Sequence, residues 1–319
     1  MNPAAPNPAT HPVTHDVVGD AIFILGNHRS GTTILYHLMA AAGRNPCPGP
    51  FHLARHRARC AGMAVEPLDA MTARWLAAGI ADRTVDGIAV SPLAPEEYGF
   101  ALPNGCIDVA GLPAFVRFCA DLRADPARPV DPGAPLLLKN PRDFPRFAHL
   151  AALFPRARFV FIHRRPEATV ASRLRELVTL ARNRSAYQAE IEPAYVQRMA
   201  NPPLRLALQA GLSVRPGVAA WFAAEWLRNA RVWANGIDAL APERWFALRF
   251  EDLCADPAGT LEPLFAFAGI PADRLGSAVA MVGQPRASPP APWPTATRAF
   301  SAAAAPVLAR AGYRCAAMK

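Results

Sequence analysis

The chain predicts an α/β fold, a mostly parallel sheet flanked by helices on both faces, on three observations. Short apolar runs are each followed at once by a segment of helical periodicity, and strands alternating with helices pair in parallel through right-handed crossovers. The composition, 52% hydrophobic and 18% charged over 319 residues, suits a buried core in a soluble domain. No internal repeat or low-complexity linker divides the chain, so residues 17–319 read as one domain.

Taken in order, the opening MNPAAPNPATHPVTHD (1–16) is broken by prolines and lacks both a basic patch and an apolar stretch. It predicts a disordered tail and not a secretory signal. The first strand, Ala21 to Leu25, runs into Gly26, and Thr32 to about Ala42 has helical character. A helix follows over Pro113 to Arg123. The second strand, Leu136 to Leu138, leads through a turn at Lys139-Asn140-Pro141 to a helix from about Pro145 to Phe154. The third, Arg158 to His163, precedes a helix starting near Pro166, a residue suited to a first helical turn. Residues 175–215 read as a helical cap over an acceptor pocket. The helical stretch Pro216 to Leu240 carries Trp221, Trp226 and Trp233, predicted as core. A fourth strand over Trp245 to Phe250, a helix over Pro257 to Ala268 and a helical end segment, Ala302 to Ala311, complete the series.

In open parallel sheets ligands sit beyond the carboxyl ends of the strands. Gly26 to Thr33, Lys139 and His163-Arg164-Arg165 all follow predicted strands, so they should converge on one edge. The first of these is nearly a phosphate loop: GNHRSGTT has the frame G-x-x-x-x-G-K-[ST] with Thr32 in the lysine position, which makes the predicted sheet P-loop-type. Backbone N–H groups and a helix N-terminus favour an anion there. Ser30, Thr32 and Thr33 add hydroxyl donors, and Arg29 adds a fork matched to phosphate or sulfate oxygens.

The net charge of +9 fits an anionic ligand. Almost all of the positive charge is arginine, and the only lysines are Lys139 and Lys319, which singles out Lys139 for a specific role. Six scattered cysteines without a C-x-x-C pair argue against a zinc site and a disulfide scaffold; they read as small buried hydrophobes in a reducing cytoplasm. No apolar run approaches the roughly 18 residues of a membrane span. The basic ends of the second and third strands offer no carboxylate to a metal-bound triphosphate, so no metal is expected. The acidic pair after the fourth strand, Glu251-Asp252, reads as a structural pair.

Together GNHRSGTT (Gly26 to Thr33), LKNP (Leu138 to Pro141) and FIHRRPEATVAS (Phe161 to Ser172) resemble the sulfotransferases that use 3′-phosphoadenosine 5′-phosphosulfate. RFEDL (Arg249 to Leu253) and AGY (Ala311 to Tyr313) are similar to weaker landmarks of bacterial members. The resemblance implies that Arg29, Ser30, Gly31, Thr32 and Thr33 grip the 5′-phosphosulfate and that Arg164 and Ser172 hold the 3′-phosphate. It also implies that Lys139 stabilises charge growing on the bridging oxygen of the departing nucleotide. Family members use a histidine or a glutamate as the base. PEEYGF offers Glu97 and Glu96, preferred here over His52, which with His56 shares one helical face.

The expected reaction is in-line, metal-free sulfuryl transfer to a hydroxyl or amine of a small-molecule, carbohydrate or lipid acceptor. Two other readings stay open. One is a P-loop kinase or nucleotide hydrolase with Arg29 replacing the lysine; the other is a non-catalytic polyanion-binding protein. The chain lacks the basic-aromatic interleaving of nucleic-acid surfaces.

Overall fold

Four short strands, β1 (Ile22–Leu25), β2 (Leu137–Lys139), β3 (Arg158–His163) and β4 (Trp245–Arg249), form one parallel sheet in the order β2-β1-β3-β4. The computed structural model describes residues 17–182, 185–203, 206, 215–282 and 298–313; the tail expected over 1–16 and part of the cap expected over 175–215 lie outside the described residues. The helices, in chain order, begin with α1 (Thr32–Gly43), α2 (Pro50–Cys60), α3 (Leu68–Ala77), α4 (Leu112–Arg123), α5 (Phe147–Leu153) and α6 (Pro166–Arg182). They continue with α7 (Ala186–Ile191), α8 (Pro193–Ala200), α9 (Arg215–Gly236), α10 (Phe250–Ala255), α11 (Pro257–Ala268), α12 (Leu275–Met281) and α13 (Arg298–Arg310).

Because side chains alternate across a strand, each strand feeds two cores. Phe23, Leu25, Leu138, Phe159 and Phe161 face a cluster with α4, α5 and Trp233 of α9. Ile22, Ile24, Leu137, Val160 and Ile162 face the opposite cluster with α1, α11 and α12. A third apolar cluster, Phe51, Met71, Trp75, Tyr187 and Ile191, joins α2, α3 and α7.

The structure shifts several predicted boundaries. Lys139 is the last strand residue and not part of the turn, because its backbone pairs with β1 opposite Ile24. Phe250 starts α10 instead of ending β4. Pro145 sits inside a 3-10 turn, Pro141–Arg146, so the regular helix α5 begins only at Phe147. Trp226 and Trp233 are core residues as expected, but Trp221 is 61% exposed: its side of α9 faces solvent. Of the five described cysteines, all free, Cys47 and Cys119 are buried, whereas Cys60 is exposed and Cys106 and Cys254 are intermediate. Among the described residues no helix is long and apolar enough to cross a membrane.

The register brings the carboxyl ends to one edge. Leu25 lies beside Phe161, one residue before Gly26, and Lys139 and His163 close the flanking strands. The third motif and the loop therefore meet without long connections.

Candidate active site

Both glycines of GNHRSGTT are required by close approach. A Cβ on Gly26 would lie 2.5 Å from the Ile162 carbonyl oxygen. One on Gly31 would lie 2.2 Å from the Phe250 ring, and Gly31 also has φ +99°. Arg29 adopts a left-handed φ of 67°, a conformation that for a non-glycine residue is concentrated at functional turns. The loop is pinned from behind by α9: Asn229 Nδ2 donates to Asn27 Oδ1 at 3.3 Å. No side chain caps the N-terminus of α1, so its first N–H groups keep their capacity for an anion. The Ser30 hydroxyl is buried, 1% exposed, and has no hydrogen-bond partner among the described residues. An orphaned hydroxyl beside uncapped amides fits an oxyanion ligand.

Two groups of predicted residues assemble around this loop. In the first, Lys139, 1% exposed, donates from Nζ to Thr33 Oγ1 at 3.0 Å and to Glu97 Oε1 at 2.5 Å. In the second, Arg29 Nε donates to Ser172 Oγ at 3.1 Å, and Arg164 donates to the Arg29 carbonyl at 3.2 Å. The Arg164 guanidinium lies 4.4 Å above Phe250, the ring that bounds Gly31. The side chain of Arg29 thus reaches α6, toward the Arg164–Ser172 end, rather than curling over its own loop. Its Nη1 is held by Asp86 Oδ2 at 2.9 Å, with Glu176 at 3.7 Å.

The base candidates separate. Burial alone would raise the Glu97 carboxyl, but Lys139 and Arg83 outweigh it and hold it well below the usual carboxylate range. Glu96 is 1% exposed and points elsewhere. Its carboxylate accepts the Glu97 amide at 2.8 Å and the Tyr187 hydroxyl of α7. His52 is not brought to the loop. Its Nδ1 accepts the Gly49 amide at 3.0 Å at the start of α2, its Nε2 lies 3.3 Å from Asp125, and burial pushes its pKa down to about 4. Both ring nitrogens are therefore occupied in tying α2 to the end of α4. His56 packs, tilted, against Phe118 of α4, 5.0 Å between ring centres. Glu251 and Asp252 are structural: Glu251 accepts the Arg165 amide at 3.0 Å and the Tyr313 hydroxyl at 2.6 Å, and Asp252 pairs with Arg249.

Sequence reasoning missed three residues. His28, inside the loop, is partly buried; burial and the nearby Arg173 and Arg142 push its pKa down to about 4 against the pull of Glu97 and Glu225. It is neutral at neutral pH and can accept a proton. Its place in the loop was the available signal. Arg83 and Asp86 come from the segment between α3 and Glu96, and nothing in their local sequence marks them. Among the described residues no group of three or more His, Cys, Asp or Glu is placed to hold a metal ion.

The arrangement is a glycine-cradled turn with uncapped amides, a buried cation and carboxylate at one end and a paired arginine and serine at the other. Residues 21–274 match the family model described as "Sulfotransferase family". The fold is similar to sulfotransferase STF9 from Mycobacterium avium, with TM-score 0.61, 16% identity, and 94% of this chain and 79% of that one covered. It is also similar to sulfotransferase STF1 from Mycobacterium tuberculosis, with TM-score 0.52, 14% identity, and coverage of 92% and 78%. No curated protein sequence matches the chain. Since the family model spans both strands that flank the loop and every motif around it, the chain belongs to the sulfotransferase family.

Proposed function

We propose that the protein transfers the sulfuryl group of 3′-phosphoadenosine 5′-phosphosulfate, in-line and without a metal, to an acceptor hydroxyl or amine. The observation that carries this reading is the buried Lys139, which contacts both the last hydroxyl of the loop and the Glu97 carboxylate. The uncapped amides of α1 and the orphaned Ser30 hydroxyl suit the 5′-phosphosulfate, with Thr32 and Thr33 beside them. Arg164 and Ser172, linked through Arg29, suit the 3′-phosphate.

In the transfer, the sulfur–oxygen bond to the nucleotide phosphate breaks as a bond to the acceptor oxygen or nitrogen forms. Lys139 stabilises the charge left on the phosphate oxygen. Glu97 takes the acceptor proton. Lys139 and Glu97 hold each other before the donor binds. Drawing Lys139 toward the departing oxygen loosens that hold, raises the affinity of Glu97 for a proton, and so couples donor binding to activation of the base.

The kinase or hydrolase reading has less support. The strand ends flanking the loop carry Lys139 and His163-Arg164, and Glu251 and Asp252 are occupied in structural contacts. Residues 17–319 as one domain, with 175–215 as a cap, belong to this proposal. Tyr187 of α7, hydrogen-bonded to Glu96 next to Glu97, supports a cap bordering the acceptor side. Acceptors of small-molecule, carbohydrate or lipid type, and a cytoplasmic setting that fits the free cysteines, complete it. Calorimetric titration with 3′,5′-adenosine bisphosphate should show binding without added Mg²⁺. Absence of binding, or binding of ATP only with Mg²⁺, refutes the reading.

A further inference from the structure

Between α3 and Glu96 the chain forms a tight hairpin in which Asp82 bridges Ala89 and the Arg83 amide donates to the Ile88 carbonyl at 2.8 Å. The turn closes at Gly87, φ +66°, with the Asp86 and Gly87 amides both on the Arg83 carbonyl. This backbone aims Arg83 inward. Its residue exposure is 9%, and Nη1 donates to Thr33 Oγ1 at 3.4 Å, the same hydroxyl that receives Lys139 Nζ. The carboxylates around it stand off: Asp86 Oδ1 is 3.7 Å from Nε and Glu96 Oε1 is 4.0 Å from Nη1. Among the described residues Nε has no hydrogen-bond partner.

A buried guanidinium normally fills its fork, because each unused donor forfeits its hydration without return. Among the described residues Arg83 leaves its Nε unused at the point where two cations converge on one loop hydroxyl. If its purpose were only to tie the hairpin to Glu96, the two groups would sit at hydrogen-bond distance, as Arg74 does with Glu66 at 2.9 Å on the surface. We propose that Arg83 is a second cation of the transfer site, its planar fork completed by the nonbridging oxygens of the sulfuryl group while Lys139 attends the leaving oxygen.

The inference rests on the sulfotransferase reading and deepens it. Two oxygens on one sulfur match a guanidinium fork better than a point charge. It follows that Arg83 distinguishes the sulfated donor from the desulfated product, which no structural role for the hairpin would do.

The test compares wild type, Arg83→Gln and Arg83→Lys by calorimetry without acceptor, using 3′-phosphoadenosine 5′-phosphosulfate and 3′,5′-adenosine bisphosphate separately, and then by turnover. Both variants should bind the bisphosphate within about twofold of wild type, bind the phosphosulfate at least about tenfold more weakly, and lose about 10²-fold in kcat, with Lys less impaired than Gln. Equal weakening toward both nucleotides, or wild-type turnover in either variant, overturns the inference while leaving the sulfotransferase reading intact. Should Arg83→Gln fail to fold, Arg83→Lys keeps the charge without the fork and decides by the same nucleotide comparison. Wild-type protein that binds neither nucleotide overturns both.

Discussion

Deleting the Lys139 ammonium while keeping Glu97 would strand a buried carboxylate, and breaking such a pair costs about 3–5 kcal/mol. Lys139→Met should therefore lose stability of that order and at least about 10²-fold in turnover. Adding Glu97→Gln should restore much of the stability and none of the turnover; urea titration and a turnover assay separate the two effects. Asp86 is the opposite case. Its carboxylate occupies the fork of Arg29, so Asp86→Asn should free that fork and tighten 3′,5′-adenosine bisphosphate severalfold in calorimetry; unchanged or weaker binding contradicts this. Single residues were legible where the sequence made them anomalous. Lys139 stands alone among arginines, and the GNHRSGTT donors crowd one turn. Arg83 and Asp86 were not legible, because their meaning lies in partners 50 and 57 positions away. His52 misled for a related reason: its Gly49 and Asp125 partners, invisible in the sequence, make it a fastener of α2.

At the scale of elements, the strand-to-helix turn after β1 depends on Gly31 for two separate reasons, its positive φ and the Phe250 ring against it. Gly31→Ala should cost roughly 2 kcal/mol or more and abolish bisphosphate binding. Phe250→Ala in that background should recover the steric share only, leaving the backbone share visible in thermal melts. The strands and the helices after them could be read because buried parallel strands are apolar throughout and proline marks α6 and α11. Boundaries blurred where side-chain character and backbone pairing disagree. Lys139 is polar yet extends β2, because its backbone is fixed by β1 while its side chain reaches the loop. Phe250 is apolar yet begins α10, where its ring supports Gly31 and Arg164. Trp221 follows the composition of a core residue but sits on the outer side of α9, with Arg173 at 5.9 Å.

For the whole molecule, all six histidines of the described residues have lowered pKa values, with burial the leading cause in each. His28, His37 and His52 fall to about 4 and His163 to about 3, below the 6.5 of a free imidazole. As pH falls through that window the unfolded chain takes up protons first, so stability is full above about 6.5 and declines toward 4. Asp143, raised by burial, opposes this at the acid end. Urea midpoints should drop from pH 7 to pH 5. His163→Phe should flatten the slope, since Nε2 of this imidazole, its ring centre 4.1 Å from that of Trp233, has no partner among the described residues to lose. The central place of β1 in the sheet carries a further consequence, for synthesis. Its partners begin 112 and 133 residues after Leu25, at Leu137 and Arg158. At about 5–20 residues per second, the ribosome releases Ile-Phe-Ile-Leu roughly six to twenty-two seconds before either neighbour exists to pair it. During that interval α1 can shelter only one of its faces, so the nascent chain carries an unpaired apolar strand.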